Sequence, residues 1–405
     1  MSERRESHPA RVAGLIIAGL VAFMLFMAGC GDDDDDDGGG DTGDLPTKIG
    51  QTEGALNLVA WAGYVEDGST DPSVDWTTDF EQQTGCQVNV KIGNTSDEMV
   101  QLMRTGQYDG VSASGDASTR LIEGGDVVPV NTDLVPNYKD IFPGLKEQEY
   151  NSVDGQMYGI PHGRGSNLVM YRTDLVKPPP KDSWSVVFDP QEAAEYKGKV
   201  TAYDSPIYIA DAAVYLKEHR PDLGITDPYE LDQEQFDAAI ELLKQQNEFI
   251  GEYWSDYTKE IQSFASGDLV VGTAWPYQWL TLIADDQPVD VVYPSKEGAT
   301  GWSDTWMLSS EAKHPNCMYL WFNHITSPDA QAQVAEWFGE APANQKACDI
   351  TATENFCETV GATGPNAYLD DLYYWKTPIS DCGDDRGEVC KDYNEWIQGW
   401  TEVKG

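Results

Sequence analysis

Runs of apolar and polar positions along the chain predict strands and helices in alternation. Leu56-Asn57-Leu58-Val59-Ala60-Trp61 reads as a buried strand, followed by a Gly/Tyr loop. Asp75 to Thr84 reads as a helix closed by Gly85, and Gln87 to Ile92 alternates as a second strand. Thr95, Ser96 and Asp97 can cap a helix through Met103 that ends at Gly106, and Tyr108 to Ala113 reads as a third strand. This βαβα order implies a parallel sheet with helices on its faces. Ligands of such sheets bind in crevices at the carboxyl ends of strands, where Trp61-Ala62-Gly63-Tyr64 and Ser112 to Asp116 both fall.

A second α/β stretch follows. Lys199 to Tyr203 reads as a strand, and Asp211 to His219, Gln233 to Gln246 and Thr258 to Ser266 as helices. Leu269 to Trp275 is a strand ending in an aromatic, Val289 to Val292 is another, and Gly298 to Asp304 reads as a Gly/Trp loop. Pro315 to Ile325 and Pro328 to Phe338 are helices beginning at proline. The last fifty residues are rich in Cys, Tyr and Trp and have little apolar periodicity, and Pro178-Pro179-Pro180 reads as a surface loop.

The amino terminus departs from this pattern. Arg4, Arg5 and Arg11 precede an apolar, small-residue-rich run from Val12 to Ala28 that stops at Met27-Ala28-Gly29-Cys30. This resembles a bacterial lipoprotein signal, which implies cleavage before Cys30 and a diacylglycerol on its thiol. The competing reading is an ordinary signal peptide or a membrane anchor, since the run approaches spanning length. Residues 30–53, with Asp32 to Asp37 and Gly38 to Gly40, form an acidic tether that cannot bury a core. The protein is therefore expected in the cell envelope, outside the cytoplasm, held to the membrane by lipid.

Composition narrows the function. The chain has 405 residues, 40% hydrophobic and 11% aromatic, enough for large cores and against wholesale disorder. Lys and Arg number 26 against 69 Asp and Glu, a formal charge of −43. Too few cations remain for phosphate contacts, so nucleic acid is excluded as a partner. The charge permits a cationic ligand, or a hydrated surface suited to a saline habitat.

Export also bears on the cysteines. Six follow Cys30, and an even number outside the cytoplasm suggests disulfides. Fifteen pairings are possible. Cys348–Cys357 and Cys382–Cys390 are plausible local loops, while Cys86 and Cys317 stay unassigned. No CxxC occurs and the five His are scattered, so neither a metal nor any other cofactor is expected.

Several motifs occur in a recognisable order: Trp61 with Tyr64, FEQQTGCQVNV, NTSDEMVQLMRTGQYDGVSAS, YGIPHGRGSN, GKVTAYDSP, FASGDLVVGTAW, VDVVYPSKEGATGWSDTW and SPDAQAQVAEWFGEAPANQKAC. Together they resemble the extracellular solute-binding proteins of bacterial ABC importers, in particular the spermidine/putrescine-binding branch. The likeness is strong over about residues 54–350 and weak in the tail. It implies a two-lobe α/β fold of the periplasmic-binding-protein type II class, with mixed sheets flanked by helices and a hinged cleft. It implies lobe one at 54–161 plus 301–355 and lobe two at 162–300 plus 356–405. It also implies a monomer that hands its ligand to an ABC permease.

A polyamine is apolar in the middle and positive at its nitrogens, so aromatic faces and carboxylates suit it. By the resemblance, Trp61 and Tyr64 line the cleft, Ser114 contacts ligand, Trp275 and Trp302 stack on it, and Asp304 binds an ammonium. The chain also departs from the family's pattern. Asp116 stands where an aromatic is usual, and Glu340 where a tyrosine is usual; both are expected to add negative charge at the site. The acidic pair of lobe two corresponds to Ser205 and Tyr208, with Asp204 just outside it. Arg164, near the hinge, either holds a carboxylate of a zwitterionic, amino-acid-like or opine-like ligand or pairs with a structural acid.

An enzyme is not expected. Gly-x-Ser-x-Gly is absent, the Ser–Asp pair in SASGDAS has no nearby His, and His162 has no local nucleophile.

Overall fold

The computed structural model describes residues 45–364 and 367–405. The signal, Cys30 and the Asp/Gly-rich part of the tether lie outside the described residues. The end of the expected tether is docked: the Glu53 carboxylate accepts from the backbone N–H groups of Asn316 and Cys317, both at 3.1 Å.

The first half of the chain builds one sheet from β1 (Ala55–Ala60), β2 (Gln87–Ile92) and β3 (Gly110–Ala113), all parallel. Helix α1 (Thr77–Thr84) ends on Gly85, whose φ of 75° needs no Cβ to be accommodated. Helix α2 (Ser96–Met103) starts where Thr95 accepts from the Glu98 N–H, and α3 (Gly115–Glu123) starts at Ser114. The sheet continues with β4 (Gly159–Ser166), and then the chain leaves it through Asn167.

The second sheet is built from β5 (Leu168–Arg172), β6 (Val200–Tyr203), β7 (Ile250–Trp254), β8 (Val271–Ala274) and β9 (Val289–Val292), in the order β7-β6-β8-β5-β9. Helices α4 (Ile209–His219), α5 (Gln233–Asn247), α6 (Tyr257–Ser266) and α7 (Pro276–Ala284) connect these strands. A capping box between Asp232 and Gln235 starts α5.

The chain then returns to the first sheet as β10 (Thr300–Ser309), between β4 and β3 and antiparallel to both. The expected Gly/Trp loop over 298–304 is therefore a strand from Thr300 onward. All ten residues of β10 are buried. A strand buried on both faces shows no polar alternation, so its pattern hides it. Helices α8 (Pro315–Ile325) and α9 (Pro328–Phe338) follow.

Sheet membership also moves the expected lobe boundaries. Residue 161 falls inside β4, which pairs along its length with β10, so the crossing comes after Ser166. In the tail, β11 (Tyr373–Tyr374) pairs with Thr300 and Gly301 of β10, and Phe356, Cys357 and Leu369 pack with Ala335 and Ala341 beside α9. The terminal helix α10 (Tyr393–Lys404) packs on α5, where Trp396 meets Phe236.

Among the described residues three disulfides are present: Cys348–Cys357, Cys382–Cys390 and Cys86–Cys317. The first two are the local loops expected. The third ties the start of β2 to α8 across 231 residues of sequence.

Candidate functional site: an aromatic cavity around Asp304

Three strand ends from two sheets meet at one place. Trp61 follows β1, Ser114 follows β3 and Trp275 follows β8. Ser114 and Trp275 are each the residue before a helix, in extended conformation. Pro276 opens α7 directly behind Trp275, so the chain turns sharply and leaves the indole at the strand end. β10 supplies Trp302 and Asp304, alternate residues on one face. Together with Tyr64, Phe338 and Trp375 these side chains line one small cavity.

The walls are mostly rings. Trp61 meets Trp275 edge-on at 5.8 Å, Trp302 meets Phe338 at 5.4 Å, and Trp275 meets Trp375 at 6.4 Å. Two glycines make room for them. A Cβ on Gly165 would lie 2.3 Å from Trp302, and one on Gly115 would lie 1.9 Å from the Trp375 carbonyl oxygen.

Asp304 is the carboxylate on the cavity wall. It is 2% exposed. Ser114 Oγ donates to its Oδ1 at 2.6 Å, and Tyr64 Oη lies 2.9 Å from its Oδ2. Burial pushes its carboxyl up to about 7, against the pull of the Ser114 and Tyr64 hydrogen bonds. Among the described residues no Lys or Arg pairs with it. Glu340 sits behind: its Oε2 is 3.0 Å from the same Tyr64 hydroxyl, and its carboxyl is raised well above the usual range by burial first and by Asp304 second. His162 Nε2 lies 3.5 Å from Glu340, and burial holds its imidazole down to about 3. Glu340 thus bears on the cavity through Tyr64.

The remaining expected residues are elsewhere. Asp116 is on α3 but its side chain points to Ser96 and Arg120, with Ser96 Oγ at 2.8 Å and Arg120 Nη2 at 3.9 Å. As the second residue of the helix, it has been turned off the cavity wall. Asp204 is bound by Lys404 and by the Trp400 indole. Ser205 is buried at the turn before α4. Tyr208 meets Gln246, and lines a second, adjoining cavity. Arg164 donates to Asp370 at 2.7 Å and to Tyr374 at 3.3 Å, so its guanidinium is engaged away from the cavity.

Two lining residues escaped the sequence reading. Phe338 ends a helix that was found, but nothing in its pattern marks that last residue as facing a site. Trp375 lies in the aperiodic tail and arrives by the pairing of β11 with β10. A wider groove between α1 and α8–α9 is open, and its acids Asp75, Asp79 and Asp329 are partly or fully solvated. It offers no buried charge of the kind at Asp304.

Known proteins resemble this chain over most of its length. A putrescine/cadaverine-binding protein of Pseudomonas aeruginosa is 25% identical over 326 residues, which is 77% of this chain and 85% of that protein. The spermidine/putrescine ABC transporter substrate-binding protein of Streptococcus pneumoniae superposes with a TM-score of 0.65 at 17% identity, covering 86% of this chain and 97% of that one. The glucopine-bound protein MotA of A. tumefaciens superposes with a TM-score of 0.66 at 16% identity, covering 87% of this chain and 100% of that one. These neighbours have the two-lobe type II binding-protein fold. Residues 75–356 match the family described as bacterial extracellular solute-binding protein. That match starts before α1, takes in the whole second sheet and β2, β3, β4 and β10 of the first, and ends beyond α9; the chain belongs to the bacterial extracellular solute-binding proteins, a family of binders and not of enzymes.

Proposed function

We propose that the protein is the lipid-anchored substrate-binding component of an ABC importer and captures a small cationic amine, putrescine- or spermidine-like, between its two lobes. The observation that carries this reading is the cavity itself: a buried carboxylate with no cation partner among the described residues, lined by four tryptophans, a tyrosine and a phenylalanine. An isolated buried carboxylate is costly, and an incoming ammonium relieves that cost. Ring faces hold an ammonium by about 0.5–2 kcal/mol each while packing on the methylenes. The charge of −43 favours cation entry, screened over about 8–10 Å. The names of the Pseudomonas and Streptococcus relatives point the same way.

In this reading the lobes close about the crossings at Asn167 and between β9 and β10, and Cys30 holds the assembly to the membrane. The protein acts as a monomer and delivers to a permease. A zwitterionic or opine-like ligand, which the glucopine-bound neighbour brings to mind, would need a free cation on the cavity wall. Arg164 is engaged by Asp370, which weighs against it. Calorimetric titration with putrescine, spermidine, amino acids and opines tests the proposal: saturable heat with the amines supports it, and heat only with carboxylate-bearing ligands refutes it.

A further inference from the structure

A second small cavity adjoins the first at Trp275 and Trp375, which line both. Its other walls include Tyr203, Tyr208, Trp254 and Asp211. Asp211 is 2% exposed, in the first turn of α4. Its side chain receives one hydrogen bond from another residue: Thr300 Oγ1 donates to Oδ1 at 2.9 Å. That hydroxyl in turn accepts from Asn167 Nδ2 at 2.6 Å. Among the described residues no Lys, Arg or His pairs with Asp211. A buried carboxylate on a cavity wall, without a cation of its own, repeats the condition of Asp304.

Asp304 and the hydroxyl partner of Asp211 stand on one strand. Thr300, Trp302 and Asp304 are alternate residues of β10 and share a face. The only register shift of β10 against β4 falls after Asp304, so the segment between them is regular. Thr300 and Asp304 are then about 13 Å apart along the strand. A four- or five-carbon diamine spans about 6–7.5 Å between nitrogens, and a charge-assisted hydrogen bond of about 2.8 Å at each end brings the reach to about 12–13 Å.

We infer that the two cavities are one elongated site for an α,ω-diamine, with one ammonium at Asp304, the carbon chain running along Trp275 and Trp375, and the second ammonium at Asp211. The inference rests on the amine reading above and specifies it. Asp211 does the work for which the two family positions, here Ser205 and Tyr208, carry no acid; it stands one helical turn beyond Tyr208. Burial pushes the Asp211 carboxyl up to about 7, so a cation would favour its ionised form.

The test is calorimetry at pH 8 on the purified protein and its Asp211→Asn variant, with putrescine and with n-butylamine. Asn keeps the shape and the acceptor for Thr300 and removes the charge. The wild type should bind putrescine at least 30-fold more tightly than butylamine. The variant should lose about 30-fold or more for putrescine and less than threefold for butylamine. Putrescine affinity within threefold of wild type, or equal losses for both amines, overturns the role of Asp211 while leaving the amine reading intact. No heat from either amine with the wild type sinks both. Should the variant not fold, a wild-type series of diamines from three to eight carbons decides: an optimum at four to five carbons supports the two-anchor site, and affinities that ignore length overturn it.

Discussion

Replacing Asp304 by Asn changes almost no volume and removes the charge at the centre of the proposed site. Asp304 is held from below by Ser114 Oγ at 2.6 Å and Tyr64 Oη at 2.9 Å, so its position survives the change while its ability to pair an ammonium does not. Breaking a desolvated, hydrogen-bonded charge pair costs about 2–5 kcal/mol. At about 1.4 kcal/mol per tenfold, that is about 30- to 4000-fold in Kd. The pH dependence gives a second, independent signature. With the Asp304 carboxyl at about 7, the wild type pairs an ammonium freely at pH 8, but at pH 6 a proton must first leave. Affinity should fall about tenfold between those two values. Glu340, raised in the same direction by burial and by Asp304, adds to the trend, whereas His162, held down to about 3, stays neutral throughout. The Asn variant should be both weaker and less sensitive to pH. Isothermal titration with putrescine at pH 6, 7 and 8 reads both. A variant that binds within threefold of wild type, with the same slope against pH, would refute the assignment of Asp304.

Other expectations follow from the same geometry. Trp275→Ala removes a wall common to both cavities and should weaken amine binding by about 3- to 30-fold or more, from about 0.5–2 kcal/mol of cation–π attraction plus lost packing; quenching of tryptophan fluorescence by ligand measures it. Gly165→Ala sets a methyl 2.3 Å from Trp302 and should displace that ring, lowering affinity even where the fold survives, as titration and thermal unfolding together will show. Asp116, Asp211 and Asp304 all have carboxyls raised by burial, so their ionisation opposes folding: their contribution is favourable below about pH 4 and is lost as pH rises to about 6–7. Ligand-free protein should therefore unfold at a higher temperature at pH 5.5 than at pH 7.5, and the Asp211→Asn variant should show a smaller difference. Removing Cys86–Cys317 should lower the denaturant midpoint more than removing Cys382–Cys390, because the longer loop regains more chain entropy, upwards of about 4 kcal/mol against about 2–3 kcal/mol. Cys30→Ala should release the protein from membranes or leave its signal uncut, read by fractionation and mass.

Where burial is one-sided, the elements were legible from local pattern. Gln87–Ile92 alternates because one face of β2, at Val88 and Ile92, is partly covered while Gln87, Asn89 and Lys91 are exposed, and Gly85 marks the end of α1 because its φ of 75° suits glycine. β10 and β4 were not legible as strands for a shared reason. Both are buried along their whole length, and both carry glycine and polar residues that line the site or clear space for it. Trp302, Ser303 and Asp304 look like a loop in sequence, yet they are interior positions of a central strand. The same physics governs the site. Trp61, Ser114 and Trp275 lie at strand ends, where position in the chain announces position in the cleft. Trp375 and Asp211 do not: one arrives through pairing of β11 with β10, the other through the turn of α4 and the hydroxyl of Thr300. Asp116 misled because two residues of helix are enough to turn a side chain from the cavity toward Arg120.

The central claim is that the cavity around Asp304 receives a small amine cation. Isothermal titration of the wild-type protein at pH 8 with putrescine and spermidine, against an amino acid and an opine as controls, tests it most directly. The expected result is saturable one-to-one heat from at least one of the amines, accompanied by a change in tryptophan fluorescence, with none from the controls. No heat from either amine up to millimolar concentration, while a carboxylate-bearing amine binds, would contradict it.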